Sequence, residues 1–316
     1  MRHPILGLHH VTATVDDAQA DLDFCVRLLG LRLVKKTVNF DNHFVYHFYY
    51  GTERGAPGTI WTTFPYKGKG VRVGTKGAGQ VVATSFSVPA SSLGFWQQRL
   101  RQQGVEAQEV ADRFGEDALR FADPSGLSFE LVGSKHDERT AWIGSGMSAG
   151  EAIRGLHSVT MTVRSLGSTR ELMTELLGYR VVDENGNRTR FAVGGNQPGH
   201  AIDVVVDPDA EAAVNGLGTV HHVAMAISTD DEQLRLREEL LRLGLRVTDV
   251  RDRCYFNSIY FREPGGVLFE VATIQPGFTV DEELASLGRG LRLPPWEEPH
   301  RVAIEAQLPG ISLARA

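Results

Sequence analysis

Two doubled histidines stand out for the chemistry they allow: His9-His10 in GLHHVTATV and His221-His222 in TVHHVAMAI. Neutral imidazole is the commonest metal ligand among side chains. A single strand histidine is ordinarily a satisfied core residue, but two at equivalent places of a repeating chain point to a shared ligand role. Glu270 supplies a third group. It lies between Phe269 and Val271 in VLFEVA, so strand alternation turns it away from their apolar side. A buried carboxylate without a partner is costly, and a bound dication removes that cost. Two imidazoles and one carboxylate form the facial triad that holds non-haem Fe(II) and leaves coordination positions open; Mn(II) accepts the same donors.

A repeat positions these residues. Four alternating segments, 10–15, 83–88, 158–163 and 222–227, each lead through a polar stretch into a helical pattern that closes on Gly30, Gly104, Gly178 or Gly244. Period-two alternation reads as a half-buried strand, and glycine admits the left-handed conformation that ends many helices. Later in each unit a Pro-Gly type turn feeds an apolar strand: Pro57-Gly58, Pro124-Ser125-Gly126, Pro198-Gly199 and Pro264-Gly265-Gly266. The expected fold is α+β, with four βαβββ modules at roughly 5–70, 78–135, 152–208 and 217–274 curling into two cups. The expected domains are 1–145 (modules one and two), 150–274 (modules three and four) and a tail, 275–316. The tail is expected to pack over the modules, either as a lid on a pocket or as a plain extension.

Equivalent positions decide which modules share a cup. The first-strand position carries His10, Ala83, Ser158 and His222, and the last-strand position carries Thr62, Glu130, Asp203 and Glu270. Pairing module one with four, and two with three, gathers His10, His222 and Glu270 in one cup, with the non-ligand Thr62 at the fourth place. Pairing three with four instead gives Asp203, His222 and Glu270, a less characteristic set. We favour one with four. Glu130 is then left without a partner that the sequence can name.

Composition narrows the classes. With 33 Lys+Arg against 39 Asp+Glu the net charge is -6, which argues against nucleic acid or anionic membranes as partners. No apolar run approaches the ~20 residues of a membrane helix. The MRHPILGLHH start does not read as a signal peptide. Two cysteines, Cys25 and Cys254, make neither a thiolate zinc site nor a disulfide scaffold, so a reducing cytoplasm is expected. A homo-oligomer stays open.

At these residues the chain resembles a known family. GLHHVT, TVHHVAMAI and GGVLFEVA look like the vicinal oxygen chelate superfamily of glyoxalases, bleomycin-resistance proteins and extradiol dioxygenases. VKKTVNFDNHFVYHFYYG and the LPPWEEPHR tail are similar to the ring-cleaving dioxygenases that open para-hydroquinones. The resemblance spans essentially the whole chain. It implies Fe(II), or less often Mn(II), on His10, His222 and Glu270, with a small aromatic substrate and O2 as reactants. It also implies supporting roles for His9, Thr12, His221, Arg253 and Tyr260. In that scheme His221 shuttles protons, Arg253 stabilises oxyanion charge and Tyr260 hydrogen-bonds a bound phenolate.

The residues themselves leave some of this open. Plain alternation points His9 and His221 away from the cup, so their roles require irregular strand starts. Arg253 in VRDRC reads equally as a surface arginine, and Tyr260 in SIYF equally as core. His43 and His47 are assigned packing or supporting roles, His200 a structural one, and Lys35-Lys36 a solvated pair. Two other functions compete. A glyoxalase-type isomerase needs a fourth ligand where Thr62 stands, and a metal-free binding protein would not carry a complete ligand set.

Overall fold

The computed structural model describes residues 5–110, 113–144 and 146–313, so the first four residues of the MRHPILGLHH start lie outside it. Alternation becomes strand at each expected place. Module one is β1 (Ile5–Val15), α1 (Ala18–Leu22), β2 (Arg32–Asn39), β3 (Asn42–Gly51) and β4 (Ile60–Pro65). Module two is β5 (Gln80–Pro89), α2 (Leu93–Gln102), β6 (Gln108–Val110), β7 (Ala118–Ala122) and β8 (Ser128–Ser134). Module three is β9 (Gly155–Val163), α3 (Gly167–Glu171), β10 (Arg180–Asn185), β11 (Arg188–Ala192) and β12 (Ala201–Val206). Module four is β13 (Thr219–Ile227), α4 (Asp230–Arg242), β14 (Arg251–Asp252), β15 (Asn257–Arg262) and β16 (Leu268–Thr273). The four helix-closing glycines all take left-handed φ, from +70° at Gly30 to +81° at Gly244.

The helices of modules one and three depart from the simple helical pattern. Each widens after α1 or α3 into a turn with i→i+5 bonds, over Asp23–Leu28 and Leu172–Leu176. Leu29 N donates to Phe24 O at 2.9 Å in the first of these. Phe24, Cys25, Leu28 and Leu29 are all buried along this turn, forming its core-facing stripe.

The modules assemble into two curled eight-stranded sheets. One runs β14-β15-β16-β13-β1-β4-β3-β2 and the other β10-β11-β12-β9-β5-β8-β7-β6. Module one therefore shares a cup with module four, and module two with three. Within each module the first and last strands are parallel, in one common register. Thr12 lies opposite Thr62, Ser85 opposite Glu130, Thr160 opposite Asp203 and Ala224 opposite Glu270. Each first-strand partner lies two residues past the position identified from the sequence, so the four-fold equivalence is a property of the backbone.

Aromatic packing joins the cups. The Trp61 and Phe129 rings are 4.9 Å apart, and Phe24 lies 5.5 Å from Phe129; such pairs add roughly 0.5–1.5 kcal/mol each beyond burial. Two connecting segments, after β4 and after β12, run against one another through bridges such as Val73–Leu217 and Thr75–Val214. A Cβ on Gly77 would sit 2.3 Å from Glu211 O, so this approach requires glycine.

The tail buttresses module one. Arg292 N donates to Lys36 O at 2.9 Å on the free edge of β2, and Ser312 N donates to Gln19 Oε1 at 2.7 Å. The short helix α5 (Arg301–Gln307) lies against β3. Lys35 corrects one expectation: it is fully buried, with Nζ 2.5 Å from both Asp281 and Glu282 of the tail. An amphipathic partner segment, invisible at the position of the lysines themselves, turns an apparently solvated pair into an anchor. Among the described residues no helix is long and apolar enough to cross a membrane.

Candidate metal centre

The site begins with β1 and β13, antiparallel neighbours at the middle of their sheet. Their register places Thr12 opposite His222 and His10 opposite Ala224. It slips three times, at Leu6 and His9 on β1 and at His221 on β13. Leu8 pairs with Met225 and His10 with Ala224, so His9 is an extra residue on β1. Thr12 pairs with His222 and Ala13 with Val220, so His221 is the extra residue on β13. A bulge of this kind breaks the alternation and re-aims side chains. His9 and His221 therefore sit beside the histidines they precede instead of pointing away. The Nδ1–Nδ1 distances are 2.9 Å for His9–His10 and 2.8 Å for His221–His222.

The opposite ring nitrogens converge. His10 Nε2 and His222 Nε2 are 3.3 Å apart, and Glu270 Oε2 lies 3.3 Å from the first and 2.8 Å from the second. All three side chains are buried. Glu270 Oε1 accepts from Ser258 Oγ at 2.5 Å, while the buried Oε2 has no hydrogen-bond donor aimed at it. Burial pushes the Glu270 carboxyl up, but the His10 and His222 imidazoles beside it win and hold it well below the usual carboxylate range. Three converging electron-pair donors, one of them orphaned, fit a divalent cation.

Neighbouring groups are neutral. Burial, then the adjacent His10, lowers His9 to about 3; burial and His222 lower His221 to about 3 as well. Burial also lowers His47 well below the ordinary imidazole value. At the fourth ligand place, Thr62 Oγ1 lies 2.7 Å from Thr12 Oγ1 and 2.9 Å from His47 Nε2. Its hydroxyl is engaged sideways, and Thr12 is buried beneath it. His47, for which the sequence suggests a packing or supporting role, lines the cavity. Its place between Tyr46 and Phe48 in an aromatic run disguised that, although alternation with Tyr49 put both on the cup's inner face.

A cavity of about 370 Å³ opens over His10 and His222, walled by His47, Phe64, His221, Arg253, Phe256 and Tyr260. Arg253 Nε donates to Tyr260 Oη at 3.1 Å, and its Nη2 donates to Asp41 Oδ2 at 3.1 Å. The turn that aims Arg253 is tight, since Cys254 has φ +64°. Because Tyr260 Oη accepts from Arg253, its own proton is free to point into the cavity. Thus Arg253 and Tyr260 are cavity residues, not surface and core. His43 pairs with Glu297 of the tail at 3.2 Å, and His200 Nδ1 meets Val193 O at 2.8 Å. No tail residue is among the described residues that line the cavity.

The other cup solves the same problem with protein charge. Arg113 is buried where its donors converge: it pairs with Glu130 through Nη1, donates to Ser158 Oγ at 2.5 Å and lies 3.9 Å from Asp203. Arg120 reaches Glu130 at 2.7 Å, and Arg190 grips Asp203 at 2.7 and 3.0 Å. A fixed guanidinium occupies the position equivalent to the His10–His222–Glu270 centre. That accounts for Glu130, whose partner lies in a stretch of sequence with no motif.

The family profile described as the glyoxalase/bleomycin resistance protein/dioxygenase superfamily matches residues 7–131 and 155–271. The chain is 41% identical to "Putative ring-cleaving dioxygenase MhqO" of Bacillus subtilis (strain 168), over 98% of this chain and 97% of that one. It is 38% identical to chlorohydroquinone/hydroquinone 1,2-dioxygenase of Sphingobium indicum, over 92% and 91% of the two chains. A crystal structure of a "putative dioxygenase" from Bacillus subtilis subsp. subtilis str. 168 superimposes with a TM-score of 0.94 at 40% identity, covering 99% of each chain. Glyoxalase I from Zea mays shares the fold at 13% identity, with a TM-score of 0.63 over 84% of this chain and 92% of that one. The chain belongs to the glyoxalase/bleomycin resistance protein/dioxygenase superfamily.

Proposed function

We propose that this protein is a non-haem Fe(II)-dependent dioxygenase that opens the ring of a para-hydroquinone and places both atoms of O2 in the product. The observation that carries the reading is the convergence of His10 Nε2, His222 Nε2 and Glu270 Oε2 at the base of an open cavity, with an engaged hydroxyl at the fourth place. Fe(II) held by such a face keeps positions free for substrate and O2 and lets electron density pass between them; Mn(II) fits the same donors.

The chain's own residues have separable tasks. His9 and His221 fix the tautomer and ring orientation of the two histidine ligands through their Nδ1 contacts. Thr12 holds Thr62 in place. Tyr260 donates a hydrogen bond to a substrate phenolate and keeps its proton, and Arg253 both orients Tyr260 and stabilises negative charge on the ring oxygens. His221, half-exposed to the cavity and neutral, can hydrogen-bond a substrate oxygen through its Nε2–H while its Nδ1 faces His222. We further infer a cytoplasmic site of action, which suits the two free thiols, and read residues 1–145 and 150–274 as two fused homologous halves followed by the tail.

The test is dioxygen uptake by anaerobically purified protein given a panel of hydroquinones and catechols, together with metal analysis. Iron near one per chain and one O2 consumed per ring opened are expected. Isomerisation of a thiohemiacetal without oxygen uptake would place the chain with the glyoxalases, and protein that retains no metal would make it a binding module.

A further inference from the structure

Asp41 is the only Asp or Glu, and Arg253 the only Lys or Arg, among the described residues that line the cavity. The two are paired at 3.1 Å, one from the β2–β3 turn of module one and the other from module four. Their environments differ: the Arg253 side chain is 17% exposed and that of Asp41 is 70% exposed. The cation belongs to the cavity wall, and the anion stands at its mouth. Phe40, beside Asp41, packs edge-on against Trp296 of the tail with ring centroids 5.6 Å apart, so the turn carrying Asp41 is braced from behind.

Charge balance inside the cavity follows. A divalent ion facing Glu270 leaves one positive charge, which a substrate phenolate neutralises. Arg253 and Asp41 neutralise each other. A second anionic group on the ring would find no unpaired cation. To use the guanidinium fork in the bidentate way carboxylates favour, it would have to displace Asp41 and then lie close to the released aspartate. Like charges so juxtaposed disfavour the wrong ligand and set specificity.

We propose that Asp41 is a specificity-determining residue that excludes ring substrates bearing a carboxylate, so that this protein takes hydroquinones with uncharged substituents. The inference rests on the hydroquinone reading of the cavity. Asp41 acts on ligand choice through Arg253, and no step of ring opening is assigned to it.

The experiment compares 2,5-dihydroxyphenylacetate with its methyl ester, which share a shape and differ by one charge. Binding to the Fe(II)-loaded protein is measured by calorimetry without O2, so the result does not depend on turnover. The ester is expected to bind at least about tenfold more tightly than the acid at low salt. Asp41→Asn is expected to shrink that preference by tightening the acid, and Asp41→Lys to shrink it further or reverse it, with both effects fading as ionic strength rises. A merely structural role for Asp41 would change both ligands together. Equal binding of the two ligands by the parent protein, or a preference unmoved across the Asp, Asn and Lys series, would overturn the inference. Those results would leave dioxygen uptake by the parent protein to judge ring cleavage separately.

Discussion

The His9 and His10 rings touch through like nitrogens, Nδ1 to Nδ1 at 2.9 Å, although the residues are adjacent on one strand. Only one of the two can carry the proton between them. If His10 offers Nε2 to a metal, its Nδ1–H donates to His9, which then keeps its own proton on Nε2 and uses it toward the Thr273 backbone. The arrangement is mirrored by His221 and His222, with one difference: His9 is buried, and His221 faces the cavity. His9→Ala is therefore expected to lower iron affinity about 10- to 100-fold while the iron-saturated protein keeps most of its turnover. His221→Ala is expected to lower both. Chelator competition and turnover at saturating Fe(II) separate the two.

Glu270→Gln and Glu130→Gln should fail differently. The first removes an anionic donor from the candidate centre, and iron content after anaerobic purification should fall to a small fraction of parent. The second leaves Arg113 buried beside a neutral amide. Breaking such a pair typically costs about 3–5 kcal/mol, so urea unfolding should shift strongly while iron content per folded chain stays near normal. Equal loss of iron in both variants would show that the carboxylate has been assigned to the wrong cup.

Tyr260→Phe removes one hydroxyl from the cavity wall and leaves Arg253 Nε without its acceptor. A para-hydroquinone reaches a metal through one oxygen, whereas a catechol can chelate through two and depends less on a hydrogen bond. The variant should lose about 10- to 100-fold in kcat/KM toward hydroquinones, the scale of a hydrogen bond to a charged oxygen, and less toward catechols. Steady-state oxygen-electrode kinetics on both ring types check the split.

Asp123 gives a prediction on stability. It is buried in the turn before β8, where Oδ1 accepts from Leu127 N at 2.6 Å. Burial is the main cause that raises its carboxyl from 3.8 to about 7, with the nearby Asp21 adding to it. The folded state thus favours the protonated form. Stability from this group is full below pH ~4 and is lost as pH rises toward and through 7. Asp123→Asn keeps the carbonyl acceptor and removes the titration. Its stability advantage over the parent should widen by about 1–3 kcal/mol between pH 5 and pH 8, as read by urea melts at the two pH values.

The repeat was legible because its punctuation is chemical: a glycine ends each helix and a Pro-Gly type turn precedes each last strand. Those landmarks put His10, His222 and Glu270 in phase, and the backbone register reproduces that phase. Side chains whose partners come from irregular stretches were not legible. Arg113 satisfies Glu130 from a loop without periodicity. Asp281 and Glu282 bury Lys35 from a tail that repeats nothing, and Asp41 meets Arg253 across a distance of 212 positions. The bulges at His9 and His221 also escape a period-two reading, since a single inserted residue leaves no mark in composition.

The interleaved pairing of modules also sets a timetable for the nascent chain. Strands β5 to β12 form an unbroken stretch, so the Arg113 cup can close while the last module is still being made. The His10 cup is split, and half its wall waits for β13 to β16. Such long-range pairing is slow to form. A polypeptide stopped before β13 leaves β1, which carries His10, without its antiparallel neighbour, and one stopped anywhere before Glu270 lacks the third donor of the candidate centre. The candidate centre can thus be completed only after residue 270 has been made, by which time every strand of the inner cup is already present in the chain.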